Sequence, residues 1–354
     1  MTKEPQNILI IKPSALGDIV QALPVLSALH KNFPDARICW LVRKDFAALI
    51  ENHPYISEII LFDRKFLGKA WKNPEALKSL WSLIKKLRSY KFDMVLDLQG
   101  LFRTAVLGWL SGCKIRIGMS EAREFGHIFY STKVKQEQSC IHLADYYLKI
   151  AAAAGVNIGN VEFVFPQNSD ATRKAKELLF GEGISGKNYA VIIPSSAHSD
   201  KCWPIENFAA IADKISERYG FSIAAVGTAG ESALAEQIKS KSKTEVTNLA
   251  GKTDIPVLVE VLRGAKLVIS NDTGPGHIAA ALNIPIVIIF GRSNPARVMP
   301  YGRAECVAAV EPMNRGFKAD STDSKHNIKN TTVDEVWKKI CTQLKNRDSS
   351  LRSE

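Results

Sequence analysis

Along the first half of the chain, short apolar runs alternate with stretches of helical period. Residues 8–11, 38–42, 58–61, 94–98 and 114–117 read as buried strands, and residues 18–33, 74–90 and 102–110 repeat their apolar positions every three to four residues. Helix and strand in alternation make a parallel sheet with helices on its faces. After a further helical stretch at 143–154, residues 155–160 carry the glycine and asparagine of a connector. The pattern then restarts, with strands at 189–194, 222–226, 267–270 and 286–290 separated by helices at 205–219, 232–241, 256–263 and 276–282. The expectation is an α/β protein of two Rossmann-like domains, residues 1–160 and 161–345, with a polar tail over 346–354. Ligands of such sheets bind at the carboxyl ends of the strands, so a cleft between the two domains is the expected site.

Composition narrows the class. A chain of 354 residues, 46% hydrophobic and 23% charged, is long enough for two cores and is not disordered throughout. The apolar run over 279–290 is broken by Asn283 and Pro285 and is too short to span a bilayer. No secretory leader is read in the first six residues, which points to the cytoplasm. The six cysteines, at 39, 113, 140, 202, 306 and 341, form no C-x-x-C pair, so neither zinc nor a disulfide framework is expected. A net charge of +11 implies attraction to an anion: nucleic acid, a membrane surface or a phosphorylated substrate.

Candidate chemistry sits where strands end. The first strand runs into "KPSALGDIV", Lys12 to Val20. A dinucleotide site would read G-x-G-x-x-G there, because backbone must approach a pyrophosphate and a carboxylate repels it. This turn has one glycine and then Asp18. The residue either caps the following helix or does chemistry. In the second half, "SNDTGPGH" follows a strand, and Asp272, Thr273, Gly274 and His277 stand at a helix start suited to a diphosphate. Ser195, Ser196 and Lys201 follow another strand, where hydroxyls and a point charge suit phosphate oxygens. Glu231 follows a third, able to accept from nucleoside hydroxyls or to cap its helix. In the first half, "DLQGLFR" and "SEARE" close strands, and Arg64, Lys65 and Lys69 crowd a loop with Phe66, Leu67 and Trp71, which could face a lipid-like surface.

Together, "KPSALGDIVQALPVLSAL", "DLQGLFRTAVL", "EAREFGHIFY", "SDKCWP" and "SNDTGPGHIAAALNIPIVIIFG" resemble the ADP-heptose:lipopolysaccharide heptosyltransferases, a glycosyltransferase family of GT-B fold. The resemblance runs from about Ile8 to Tyr301, with the motifs in the same order. The first motif and the "EARE" segment are closest to the heptosyltransferase I branch, which acts on Kdo of the lipid A inner core. It implies inverting transfer of heptose from ADP-heptose to Kdo, with Asp18 as the general base and Lys201 stabilising the departing ADP. It further implies that Ser195, Ser196, Glu231, Asp272, Thr273, Gly274 and His277 bind the donor, and that Arg64, Lys65, Lys69 and Arg123 hold the anionic acceptor. No metal or other cofactor is implied. A Kdo-lipid A acceptor would place the enzyme on the inner leaflet of the cytoplasmic membrane.

Three other readings stand beside this one. A family member could use another nucleotide sugar or acceptor, as in heptosyltransferase II. A GT-B-shaped sugar-nucleotide epimerase would share the fold but need no acceptor, and the basic loop near Arg64 argues against it. A nucleic-acid-binding protein would fit the net charge, but basic and aromatic residues are not interleaved in a recognisable arrangement.

Overall fold

The computed structural model describes residues 4–351 apart from 70, 139, 185, 187 and 314. The chain forms two compact units that divide between residues 167 and 168. The first unit therefore keeps residues 161–167, which the sequence reading placed in the second. Hydrogen bonds explain this: Ser27 Oγ donates to the Glu162 carbonyl at 3.2 Å, and His53 Nε2 lies 2.9 Å from the Val164 carbonyl.

In the first unit the strands are β1 (Asn7–Ile11), β2 (Arg37–Val42), β3 (Glu58–Leu61), β4 (Met94–Asp97), β5 (Ile115–Met119) and β6 (Thr132–Val134). They pair in parallel in the order β3-β2-β1-β4-β5-β6. The helices are α1 (Leu16–Asn32), α2 (Lys44–Ala47), α3 (Arg64–Leu67), α4 (Pro74–Ser89), α5 (Phe102–Leu110) and α6 (Leu143–Ala152). Central strand β1 is apolar on both faces because helices cover both, and Ile8 to Ile11 are fully buried. Helix α1 packs beside α6 and is buried from Ile19 to Leu29, which fixes the position of its first turn.

The second unit repeats the plan with β7 (Tyr189–Ile193), β8 (Ser222–Ala225), β9 (Val246–Asn248), β10 (Leu267–Asn271), β11 (Ile286–Ile289) and β12 (Val307–Ala308). These also run parallel, in the order β12-β11-β10-β7-β8-β9. Its helices are α7 (Ser169–Gly181), α8 (Ile205–Tyr219), α9 (Ser232–Lys241), α10 (Ile255–Gly264), α11 (Gly274–Ala281), α12 (Pro295–Val298) and α13 (Val333–Leu351). Helix α13 continues through most of the expected polar tail, with Val336, Ile340 and Leu344 buried in the core of the unit.

Counted from its own first strand, each sheet has the order 3-2-1-4-5-6. The chain leaves the first strand in one direction and returns on its other side, so a crevice opens beyond the carboxyl ends of strands one and four. In the first unit that point lies between β1 and β4, and in the second between β7 and β10.

Candidate active site

At the first switch point, β1 ends at Ile11, and the chain turns through Lys12 and Pro13 into α1. Asp18 falls in the first turn of that helix, where a carboxylate complements the unpaired N–H groups. Its cap contact is weak: the Ala15 N–H donates to Oδ2 at 3.4 Å. A second partner is less ordinary. The Lys12 ammonium lies 3.3 Å from the same oxygen, and Lys12 is only 2% exposed whereas the Asp18 side chain is 37% exposed. The Lys12 ammonium also sits 5.1 Å above the Tyr147 ring of α6. Burial alone would lower the Lys12 pKa, but the Asp18 carboxylate and Tyr147 outweigh it and hold the pKa above the ordinary lysine value. A helix cap needs no buried ammonium, so local capping does not account for this pair.

Across the switch point, the turn after β4 is built on Asp97, which is fully buried. Its Oδ1 accepts from the N–H groups of Gln99 and Gly100 at 2.9 and 3.2 Å, and its Oδ2 accepts from the Tyr130 hydroxyl at 2.9 Å. Burial raises its pKa, against these bonds. Gly100 has φ +66°, and a Cβ there would meet Met119 Sδ at 2.7 Å, so the turn admits no larger residue without strain. The turn is tied both ways: the Ser14 N–H donates to Gln99 Oε1 at 3.3 Å, and the Arg123 N–H donates to the Gly100 carbonyl at 2.9 Å. The structure thus gathers the Asp18 loop, Gln99 and Arg123 at neighbouring strand ends. Arg64, Lys65 and Lys69 follow β3, two strands away at the sheet edge, where Asp63 caps α3 by accepting from the Phe66 N–H at 2.9 Å. These three residues and Arg123 are exposed and make no ion pair among the described residues.

In the second unit Asn271 organises the corresponding crevice. It is fully buried, donates to the Pro194 carbonyl at 2.7 Å and accepts from the Trp203 N–H at 3.0 Å, so it fixes both ends of the loop that carries Ser195, Ser196 and Lys201. Ser196 Oγ donates to the Asp272 carbonyl at 2.9 Å, and Ser195 is buried beside it in sequence. His277 Nε2 lies 3.1 Å from Asp272 Oδ1. Burial opposes ionisation of Asp272, but His277, the Ser293 hydroxyl and Lys201 together outweigh it and hold the carboxyl below the usual range. Thr273 and Gly274 begin α11, which packs tightly on β10: a Cβ on Gly276 would meet Ser270 Oγ at 2.5 Å.

Two expected donor residues already have partners. The Lys201 ammonium is 3.0 Å from Asp320 Oδ1, so incoming phosphates would compete with a carboxylate for it. Glu231 Oε2 accepts from the Thr228 N–H at 2.6 Å, which gives it the capping role at the start of its helix. Sequence reasoning missed Lys12, Asn271 and Asp320 as site residues. Lys12 carried a signal, since a lysine directly following a buried strand must find a counter-charge, while Asn271 and Asp320 declare themselves only through folding.

Among the described residues, no group of three or more His, Cys, Asp or Glu is placed to hold a metal ion, and no helix is long and apolar enough to cross a membrane. The family described as glycosyltransferase family 9 (heptosyltransferase) matches residues 80–328, more than half of the chain. The chain belongs to that family. It is 28% identical over 317 residues to the lipopolysaccharide core heptosyltransferase OpsX of Haemophilus influenzae, covering 88% of this chain and 87% of that one. A family 9 glycosyltransferase from Veillonella parvula superposes with a TM-score of 0.81 at 23% identity, over 96% of this chain and 97% of that one. The Escherichia coli heptosyltransferase WaaC, solved with ADP-2-deoxy-2-fluoro heptose, gives a TM-score of 0.72 at 22% identity, over 95% and 99%. The paired parallel sheets are the GT-B fold of these enzymes. The first switch point offers an accessible carboxylate, and the second offers Lys201 and the start of α11.

Proposed function

We propose that this family 9 enzyme transfers heptose from ADP-heptose to a Kdo residue of the lipopolysaccharide inner core, with inversion at the anomeric carbon. The acceptor hydroxyl gives its proton to the Asp18 carboxylate as its oxygen bonds to the anomeric carbon. The bond from that carbon to the β-phosphate oxygen breaks, and its electron pair leaves with ADP. Lys201 and the N–H groups at the start of α11 meet the charge that grows on the diphosphate. Asp272, Thr273, Gly274 and His277 line the diphosphate and sugar, Ser195 or Ser196 contacts the phosphates, and Glu231 reaches the ribose with the oxygen its cap leaves over. Arg64, Lys65, Lys69 and Arg123 hold the carboxylates and phosphates of the acceptor. A lipid-linked acceptor places the enzyme on the inner leaflet.

The observation that carries this reading is the Lys12–Asp18 pair. A half-exposed carboxylate held by a buried ammonium at a switch point is oriented and kept available for a substrate hydroxyl. The relatives support a heptose donor and a lipopolysaccharide-core acceptor, and the choice of Kdo rests on the sequence resemblance. The test is release of ADP from ADP-heptose by the purified protein with Kdo-lipid A as acceptor. ADP release that depends on Kdo-lipid A supports the proposal. Release only with an acceptor that already bears heptose would move the enzyme to the heptosyltransferase II reaction, and conversion of the donor without acceptor would make it an epimerase or hydrolase.

A further inference from the structure

Tryptophan is distributed unevenly between core and surface. Trp40 and Trp203 are buried, whereas Trp71, Trp81 and Trp109 are 78%, 58% and 51% exposed, all in the first unit. Helix α4 buries Ala76, Leu83, Ile84 and Leu87 against the sheet and leaves Leu77 and Trp81, one turn apart, on its outer side. Arg88 Nε donates to the Leu110 carbonyl at 2.9 Å and ties the end of α4 to the end of α5. On α5, Phe102 and Trp109 face outward, and the Phe129 ring touches both, with centroids 5.5 and 5.7 Å away. Ile128 is exposed beside it. Single exposed apolar residues need no explanation, but exposed aromatic and aliphatic side chains on two tied helices and the turn beside them do.

We propose that this α4–α5 face rests on an anionic lipid bilayer. Basic residues border the strip: Lys78 and Lys85 lie on the outer side of α4, and the Lys72 ammonium sits 4.0 Å above the Trp71 ring. None of the three makes an ion pair among the described residues. Tryptophan with an apolar body and a polar N–H favours the level of lipid headgroups. Lysines at the rim reach the anionic surface while their stems cover apolar area. The inference rests on the proposed function only in that a lipid-linked acceptor brings a membrane to the enzyme.

The test uses the full chain and vesicles of phosphatidylcholine with or without phosphatidylglycerol. At low salt the protein should sediment with the anionic vesicles, and its tryptophan emission should shift to the blue. Trp81→Ser combined with Trp109→Ser should abolish most of both signals. Lys78→Gln combined with Lys85→Gln should weaken vesicle binding roughly thirtyfold, at about 1 kcal/mol for each charge near the surface. ADP release with a deacylated, water-soluble acceptor should be unchanged in both variants. That last readout separates failure of this face from failure of the proposed reaction, which would abolish ADP release in the wild type. The proposal is overturned if the wild type ignores anionic vesicles, if the variants bind them as well as it does, or if the tryptophan changes dissociate a wild-type dimer.

Discussion

Asp18→Asn separates a catalytic carboxylate from a helix cap, because asparagine keeps the shape and an acceptor oxygen but cannot take a proton. The cap contact, at 3.4 Å from the Ala15 N–H, survives the change and is worth a few tenths of a kcal/mol at most. Loss of the charge is a larger matter. At 3.3 Å the Coulomb attraction between Lys12 and Asp18 is about 5 kcal/mol at an effective dielectric of about 20, before desolvation is subtracted. Breaking a fully buried pair costs about 3–5 kcal/mol, and since Asp18 is 37% exposed, screening reduces this to about 1–3 kcal/mol. The melting temperature of the unit should therefore fall by roughly 3–10 °C. Turnover should fall by about 10²- to 10⁴-fold, the usual weight of general-base catalysis, while calorimetry shows ADP binding unchanged. Adding Lys12→Met to Asp18→Asn removes the stranded ammonium and should restore part of the stability but none of the turnover. Retention of most activity by Asp18→Asn would refute the base assignment. An unchanged melting temperature would refute the energetic role given to Lys12.

Lys201→Ala should weaken ADP affinity about 10- to 100-fold by calorimetry and slow transfer as well, the loss of one charge-assisted contact to a phosphate. Asp320→Asn should do the reverse to ADP affinity, since it frees the ammonium and removes a carboxylate 3.0 Å from it; weaker ADP binding in this variant would show that Asp320 orients Lys201 instead. Neutralising Arg64, Lys65 and Lys69 together should raise the acceptor KM severalfold at low salt with ADP affinity unchanged, and added salt should mimic the effect in the wild type. Asp272 has a folded pKa below its unfolded value of about 3.8, so the stability it contributes is present above that pH and is lost as pH falls through the lower folded value. The difference in melting temperature between wild type and Asp272→Asn should accordingly be constant near neutrality and vanish in strong acid; a difference that disappears by pH 6 would contradict the assignment.

Most of the sheet was legible because its central strands are buried on both faces and read as unbroken apolar runs, as in Ile8 to Ile11 and Ile286 to Ile289. Three of the four edge strands were not legible. β6, β9 and β12 are two or three residues long, and Thr132-Lys133-Val134 has no apolar pattern to detect. Helix α7 was missed because it buries only Ala171 and Ala175, so its apolar stripe is faint. In the site, the positions of Asp18, Lys201 and Asp272 at strand ends followed from the alternation of elements. Their partners did not. Asp320 is remote in sequence from Lys201, in an irregular segment without periodicity, and it reaches the lysine only because residues 319–321 pair with the loop after β11 through Asn294 and Arg292.

The two units share one strand order and differ in which charge occupies each switch point. In the first unit the helix after the first strand opens with Asp18, and a phosphate at that N-terminus would meet a carboxylate. In the second unit the carboxylate nearest the helix start, Asp272, faces His277 and Lys201, which offset its charge and leave the N–H groups of α11 available to an anion. Lys12 makes the same point in reverse. A buried ammonium beside Asp18 would attract a diphosphate if it were accessible, but Lys12 is only 2% exposed, whereas the Asp18 carboxylate it pairs with is 37% exposed, so the carboxylate is the charge open to solvent there. The proposed function therefore divides its two substrates by sign: the acceptor hydroxyl, which must lose a proton, is assigned to the unit with the Asp18 carboxylate, and the donor diphosphate, which must gain charge, to the unit with the Lys201 ammonium and the start of α11.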